Sequence, residues 1–91
     1  MSSISERSET DAVLREILRD VLGLDADQVD GFTTETGLFG HLPELDSMAV
    51  AGLLTELEER LGILIEDHEV DADMMETFGA LLTFARGKAL T

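Results

Sequence analysis

The chain has 91 residues, which predicts one domain with a modest core and no deep cleft. Its 20 acidic residues against 6 Lys and Arg give a net charge of −14, which disfavours binding to nucleic acid or anionic membranes. The absence of cysteine excludes disulfides, thiolate metal sites and a cysteine nucleophile. The sequence contains no secretory-type start and no apolar run long enough to span a membrane, so we expect a cytoplasmic protein.

The first predicted element is an amphipathic helix over residues 10–22. Apolar side chains recur there at intervals of three and four residues, which places them on one helix face. Ser8 and Asp11 have the spacing of a capping box at its start. Residues 1–9 are polar and are predicted to form a flexible N-terminus ahead of a single domain over residues 10–88.

A long loop is predicted over residues 23–45, because glycines and a proline interrupt every helical period there. One helical turn is expected near residues 27–31. A loop this long in a small domain has to pack against the core or carry function. Its apolar residues are therefore predicted to cover the core: Val29, Phe32, Leu38, Phe39, Leu42 and Leu45.

The second long helix is predicted over residues 47–61, with Asp46 and Ser47 as candidate N-cap residues. A short helix is predicted over residues 72–76, and Thr77 is expected to cap the final helix. No pair of strands is indicated. The predicted fold class is therefore all-α: a four-helix bundle with three longer helices, one short helix and a long loop between the first two longer helices.

The segment Leu45-Asp46-Ser47-Met48, placed after a long loop at the start of a helix, resembles the Asp-Ser-Leu signature of acyl carrier proteins. The resemblance extends over about residues 10–86 and includes the leucine- and glutamate-rich segment 53–61. It implies a four-helix bundle of the acyl-carrier type. It also implies that the chain is not an enzyme, because partner enzymes act on the cargo that such a protein holds.

By this resemblance, Ser47 receives 4'-phosphopantetheine from coenzyme A through a phosphopantetheinyl transferase, and Asp46 helps the transferase recognise the site. A phosphate at a helix N-terminus meets unpaired N–H groups and the positive end of the helix dipole. The arm ends in a thiol, which supplies the thioester chemistry that a cysteine-free chain lacks. The simpler alternative is that Ser47 is only an N-cap residue.

The resemblance also implies that the helix over residues 47–61 docks on basic patches of acyl-loading and acyl-processing enzymes. Residues 44–76 contain eleven acids and one base, which favours a partner surface over random solvation. Ordinary solvation of each single glutamate is the alternative. We expect a monomeric carrier whose partner-binding residues are Met48, Ala51, Glu56, Glu58 and Glu59.

Two segments depart from the family pattern. Ala49 and Gly52 occupy positions at which many carriers of fatty acid synthesis have acids, and residues 40–44 replace the short Asp-Leu-Gly lead-in to the serine. These differences favour a specialised lipid, polyketide or exopolysaccharide-linked pathway over the usual partners in fatty acid biosynthesis. The rival functions are a peptidyl carrier for aminoacyl cargo and an unmodified acidic helical adaptor.

Other candidate sites fit the sequence less well. The acids within residues 25–30 and 67–73 fail the spacing of a calcium loop, so no metal site is predicted. A hydrolase in which His41 or His68 activates Ser47 would also need an orienting acid and an oxyanion site. In the acyl carrier family a space between helices receives the cargo chain. Its plausible lining residues here, with ordinary core packing as the default, are Leu53, Leu57, Ile65 and Leu82.

Overall fold

The computed structural model describes residues 9–89, and within them the fold is all-α, as predicted. Residues 1–8, including the predicted capping residue Ser8, lie outside the described residues. Two single 3₁₀ turns and one isolated β-bridge accompany the helices. The four α-helices of this part of the chain are α1 (Glu9–Leu22), α2 (Ala26–Asp30), α3 (Ser47–Leu61) and α4 (Phe78–Ala89).

The short elements differ in type from the sequence-based expectation. The turn expected near residues 27–31 is the short α-helix α2, whereas the segment expected to be a short helix forms a 3₁₀ turn at Asp73–Met75. Asp71 Oδ1 accepts a hydrogen bond from Met74 N–H (2.9 Å) at the start of this turn. Thr77 Oγ1 then accepts one from Ala80 N–H (3.1 Å) and so begins α4. Asp71 and Thr77, the two capping residues, lie just before and just after residues 73–75. The segment between them therefore has room for one turn only.

The core lies between α1, α3 and α4, and the long loop covers one side of it. Each helix contributes the apolar stripe that its sequence period predicts, and burying one such side chain fully contributes about 1.5–3 kcal/mol. The loop contributes the side chains of Phe32, Leu38 and Leu45. The largest side chains that are fully or almost fully buried are Leu14, Ile17, Leu18, Leu38, Leu53, Leu57, Phe78 and Leu81.

Backbone hydrogen bonds fix the long loop against the segment that leads into α4. Leu38 N–H donates to the carbonyl oxygen of Glu76 (2.7 Å), and Phe39 N–H donates to that of Met75 (2.9 Å). Farther along, Phe78 N–H donates to the carbonyl oxygen of Thr36 (2.8 Å). The loop therefore runs along the start of α4 and delivers the chain to the beginning of α3 in a fixed position.

Arg15 holds the first part of the loop against α1. Its Nη1 donates to the carbonyl oxygen of Val29 (2.7 Å) and its Nη2 to that of Phe32 (3.0 Å). Its Nε pairs with Asp11, and its guanidinium lies 4.5 Å from the centroid of the Phe78 ring. One side chain thus binds carbonyl oxygens at the end of α2 and just after it, which holds α2 against α1.

Candidate functional site

Ser47 is the first residue of α3, and Asp46 is the N-cap residue. Asp46 Oδ1 accepts a hydrogen bond from Ala49 N–H (2.9 Å), and the Asp46 carbonyl oxygen accepts one from Val50 N–H (2.9 Å). Ser47 is exposed, and its hydroxyl has no hydrogen-bond partner within residues 9–89. Because Asp46 performs the capping, the serine hydroxyl is available to react.

The start of α3 can stabilise a phosphate attached to Ser47. The first N–H groups of a helix have no partner inside the helix. Asp46 satisfies those of Ala49 and Val50, whereas those of Ser47 and Met48 have no acceptor in the described part of the chain. These two donors and the positive end of the helix dipole favour an anion at this position. The residues present therefore fit a serine-linked phosphodiester.

One groove beside Ser47 is largely apolar and lies between the first turn of α3, the long loop and the 3₁₀ turn Asp73–Met75. It has a volume of about 300 Å³ and is open to solvent on one side. We call it the α3 groove. Its aliphatic and aromatic walls suit a hydrocarbon chain better than a polar one. It is lined by Phe39, Ser47, Val50, Val70, Asp71, Ala72 and Met75.

The four residues predicted from the sequence to line a cargo space do not line the α3 groove. Leu53 and Leu57 are completely enclosed in the core, and Leu82 is also buried, so the default reading of core packing holds for these three. The position of Val50 in this groove could be predicted from the sequence, because Val50 lies on the apolar stripe about one turn after Ser47. The positions of Val70 and Met75 could not be predicted, because only tertiary contacts bring residues 70–75 to α3.

A second groove also reaches Ser47 and is formed by the loop and the start of α3. It has a volume of about 430 Å³, and Phe39 and Ser47 line both grooves. We call it the loop groove. Neither set of lining residues includes Lys or Arg, so no permanently charged cation neutralises a phosphate here. The loop groove is lined by Phe39, Gly40, His41, Leu42, Pro43, Leu45, Asp46 and Ser47.

The five candidate partner-binding residues fall into two groups. Met48, Ala51 and Glu59 are exposed, and Met48 exposes 85% of its surface. Glu56 instead accepts a hydrogen bond from Arg60 Nε (2.8 Å). Glu58 Oε2 accepts one from Ile65 N–H (2.8 Å) just after the helix has ended. Two of the three candidate glutamates therefore make contacts within the chain.

Ion pairs tie the far end of α3 to α1. Arg60 lies 3.1 Å from an Asp20 carboxylate oxygen and 3.6 Å from one of Glu16, in addition to its contact with Glu56. Hydrogen bonding from Arg60, and secondarily from Arg19, holds the pKa of Asp20 below its usual value. The basic residue in this acidic region thus contributes to helix packing.

The competing sites receive no geometric support. No group of three or more His, Asp or Glu residues within residues 9–89 is arranged to hold a metal ion. His41 shares the loop groove with Ser47, but no hydrogen bond joins them, and His68 lies in the separate turn Asp67–Glu69. No helix within the described residues is long and apolar enough to cross a membrane.

Comparison with known proteins identifies the family of the chain. The family described as "Phosphopantetheine attachment site" matches residues 12–84. The chain belongs to this carrier family. A solution NMR structure of a holo acyl carrier protein from Nitrosomonas europaea is 38% identical to the chain, with a TM-score of 0.81, and the match covers 93% of this chain and 100% of that one. No curated protein matches significantly.

The family assignment confirms the acyl-carrier resemblance and the predicted cofactor. Covalently bound 4'-phosphopantetheine is the prosthetic group of this carrier family, and the fold matches that of an acyl carrier protein. The matched range includes most of α1, the whole long loop, all of α3 and most of α4. Both grooves and the exposed serine therefore lie inside the carrier domain.

Proposed function

We propose that this carrier is an acyl carrier protein that bears its 4'-phosphopantetheine on Ser47. The observation that carries the proposal is an exposed serine hydroxyl at the first position of a long helix, beside two unpaired N–H groups. When bound, the arm supplies a thiol on which an acyl group is held as a thioester. The chain itself holds and presents the cargo, and its partners catalyse the reactions.

Asp46 has two roles in this proposal. Its carboxylate caps α3 and thereby leaves the Ser47 hydroxyl unengaged. It is also exposed beside the serine, where a phosphopantetheinyl transferase can recognise it during modification. Both roles depend on the same position, because a cap residue necessarily precedes the first helical residue.

The α3 groove supports acyl rather than aminoacyl cargo. Phe39, Val50, Val70 and Met75 give it apolar walls, and Ser47 lies at its edge. Moving a methylene group from water into apolar surroundings contributes about 0.8 kcal/mol, so a hydrocarbon chain gains more there than a charged aminoacyl group. Asp71, which also lines the groove, disfavours anionic cargo.

The exposed face near Ser47 supports partners outside the usual fatty acid pathway. Ala49 and Gly52 leave the first two turns of α3 without acids, and Met48 projects into solvent there. We infer that transferase and acyl-processing partners contact Met48 and Ala51 through apolar groups and reach Glu59 with a basic patch. This arrangement suits a specialised lipid, polyketide or exopolysaccharide-linked pathway.

The modification is tested by mass spectrometry after incubation with coenzyme A and a broad-specificity phosphopantetheinyl transferase. The wild type should gain one phosphopantetheine group, and Ser47→Ala should gain none. Ser8→Ala, which removes a serine elsewhere in the chain, is the matched control and should be modified like the wild type. Failure of the wild type to accept the group, or modification of Ser47→Ala, would refute the proposal.

A further inference from the structure

The loop groove is preformed by hydrogen bonds within the loop. His41 N–H and Leu42 N–H both donate to the carbonyl oxygen of Leu38 (2.9 and 2.8 Å). Gly40 has φ of +89°, a left-handed conformation that glycine adopts without strain and that closes this turn. Leu38 is itself bonded to Glu76. A ligand that enters the groove therefore does not have to order the loop, which lowers the cost of binding.

His41 is held in this groove by a close approach to the backbone of Gly37. A Cβ atom added to Gly37 would clash with His41 Cγ, so the ring occupies space that any other residue at position 37 would fill. Neither ring nitrogen of His41 has a hydrogen-bond partner within residues 9–89. The imidazole is thus packed on one side, and its N–H donor is unused.

The chemistry of the groove matches that of the prosthetic arm better than that of a hydrocarbon chain. Leu42 and Pro43 offer apolar contacts, whereas His41 offers a donor. Once Ser47 is esterified, His41 is the lining side chain that can donate a hydrogen bond, because the Asp46 carboxylate only accepts. The arm alternates a phosphate and amide carbonyl groups, which accept hydrogen bonds, with an apolar gem-dimethyl group.

We propose that the loop groove is a resting site for the unacylated 4'-phosphopantetheine arm. In this site His41 donates a hydrogen bond to an acceptor oxygen of the arm, and Leu42 and Pro43 pack against its gem-dimethyl group. The inference rests on the proposed attachment to Ser47. It gives a role to residues 40–44, the segment that differs from the family's shorter lead-in, and it leaves the α3 groove for acyl cargo.

The test is isotope-filtered NMR on holo protein, in which a labelled chain carries an unlabelled arm. We expect nuclear Overhauser effects from the gem-dimethyl protons to the His41 ring and to Leu42 and Pro43. In His41→Ala these contacts should weaken and the gem-dimethyl signals should sharpen. His68→Ala removes the other histidine, which lies outside both grooves, and should behave like the wild type. A ³¹P shift that changes in His41→Ala but not in His68→Ala identifies the phosphate as the acceptor.

Mass spectra of every sample separate the two proposals. If the arm is present on Ser47 but shows no contact with residues 41–43, the resting site is refuted and the carrier function stands. If the contacts are equal in the wild type and His41→Ala, the role of His41 is refuted. If no arm can be attached to Ser47, the carrier function fails and the resting site fails with it.

Discussion

The two halves of α3 differ in what their side chains contact. From Ser47 to Thr55 the helix has no charged residue, and its exposed residues are two with hydroxyl groups, the small residues Ala51 and Gly52, and Met48. From Glu56 to Leu61 it has four charged residues, and two of them, Glu58 and Arg60, contact other parts of the chain. The acids that suggest a docking surface in the sequence therefore serve partly to hold the fold together.

This difference means that one half of the helix exposes its outer side chains, whereas the other half helps to hold the fold together. Within residues 9–89, the first half is anchored through its buried stripe and its cap, so its outer face is exposed to solvent. The second half is connected to α1 through Arg60 and to the following connector through Glu58. Substitutions on the outer face of the first half should therefore change modification and partner binding, whereas those of Leu57, Glu58 and Arg60 in the second half, which contact other parts of the chain, should change stability.

The largest effect is expected for Leu57→Ala in the second half of α3. Leu57 is completely buried in the core, so its truncation leaves a cavity and should cost about 2–5 kcal/mol of unfolding free energy. Met48→Ala in the first half should change the unfolding free energy by less than about 0.5 kcal/mol, because the Met48 side chain is exposed. Urea denaturation of both variants measures the difference. Equal losses of unfolding free energy in the two variants would show that the Met48 side chain packs against the core.

Glu58→Ala should have the next largest effect. It removes the acceptor of the partly buried Ile65 N–H and should cost about 1–2 kcal/mol. Glu58→Gln keeps an acceptor oxygen and should recover part of this loss. Glu59→Ala, which removes the neighbouring exposed carboxylate, should leave unfolding unchanged in urea but weaken binding to a basic partner, as measured by calorimetry. A loss of stability in Glu59→Ala would contradict the expectation that Glu58 stabilises the fold and Glu59 does not.

Asp46→Ala should cost about 1 kcal/mol, because the N–H group of Ala49 loses its capping acceptor. Asp46→Asn keeps the cap and should restore the unfolding free energy in urea. Both variants remove the charge beside Ser47 and should slow modification by the transferase in a mass-spectrometric time course. If Asp46→Asn is modified at the wild-type rate, the carboxylate acts only as a cap.

The sequence was informative wherever the determining contacts are local. The range of α3, the cap at Asp46 and the exposed position of Ser47 follow from residues within one helical turn of each other. The α3 groove could not be predicted in the same way, because Phe39 and Val70 reach it only through the long loop and the segment after α3. Likewise, no local pattern indicates that Arg15 binds carbonyl oxygens 14 and 17 residues away.

Gly52→Ala is expected to stabilise the first half of α3. Gly52 lies inside the helix with ordinary helical geometry, and an added Cβ would lie 3.7 Å from Val21 Cγ1, an ordinary contact. Replacing a helix-interior glycine by alanine should therefore raise the unfolding free energy by up to about 1 kcal/mol. Thermal unfolding measures this gain, and Gly62→Ala, at a left-handed position that ends the helix, should lose stability instead.

The smallest effect on the unfolding free energy is expected for removal of the exposed ion pairs of Arg60. The pH dependence of this effect distinguishes it from a general effect of net charge. Because Arg60 lowers the pKa of Asp20 in the folded state, the contribution is fully present above about pH 5 and is lost as the pH falls through the folded-state pKa. The difference in unfolding free energy between the wild type and Arg60→Gln should therefore shrink below about pH 4, and also with added salt. Arg86→Gln makes the same change in net charge at an exposed position of α4 and is the matched control, because no ion pair within the described residues involves Arg86. If both variants lose stability equally at every pH, net charge rather than the contact between α1 and α3 accounts for the effect.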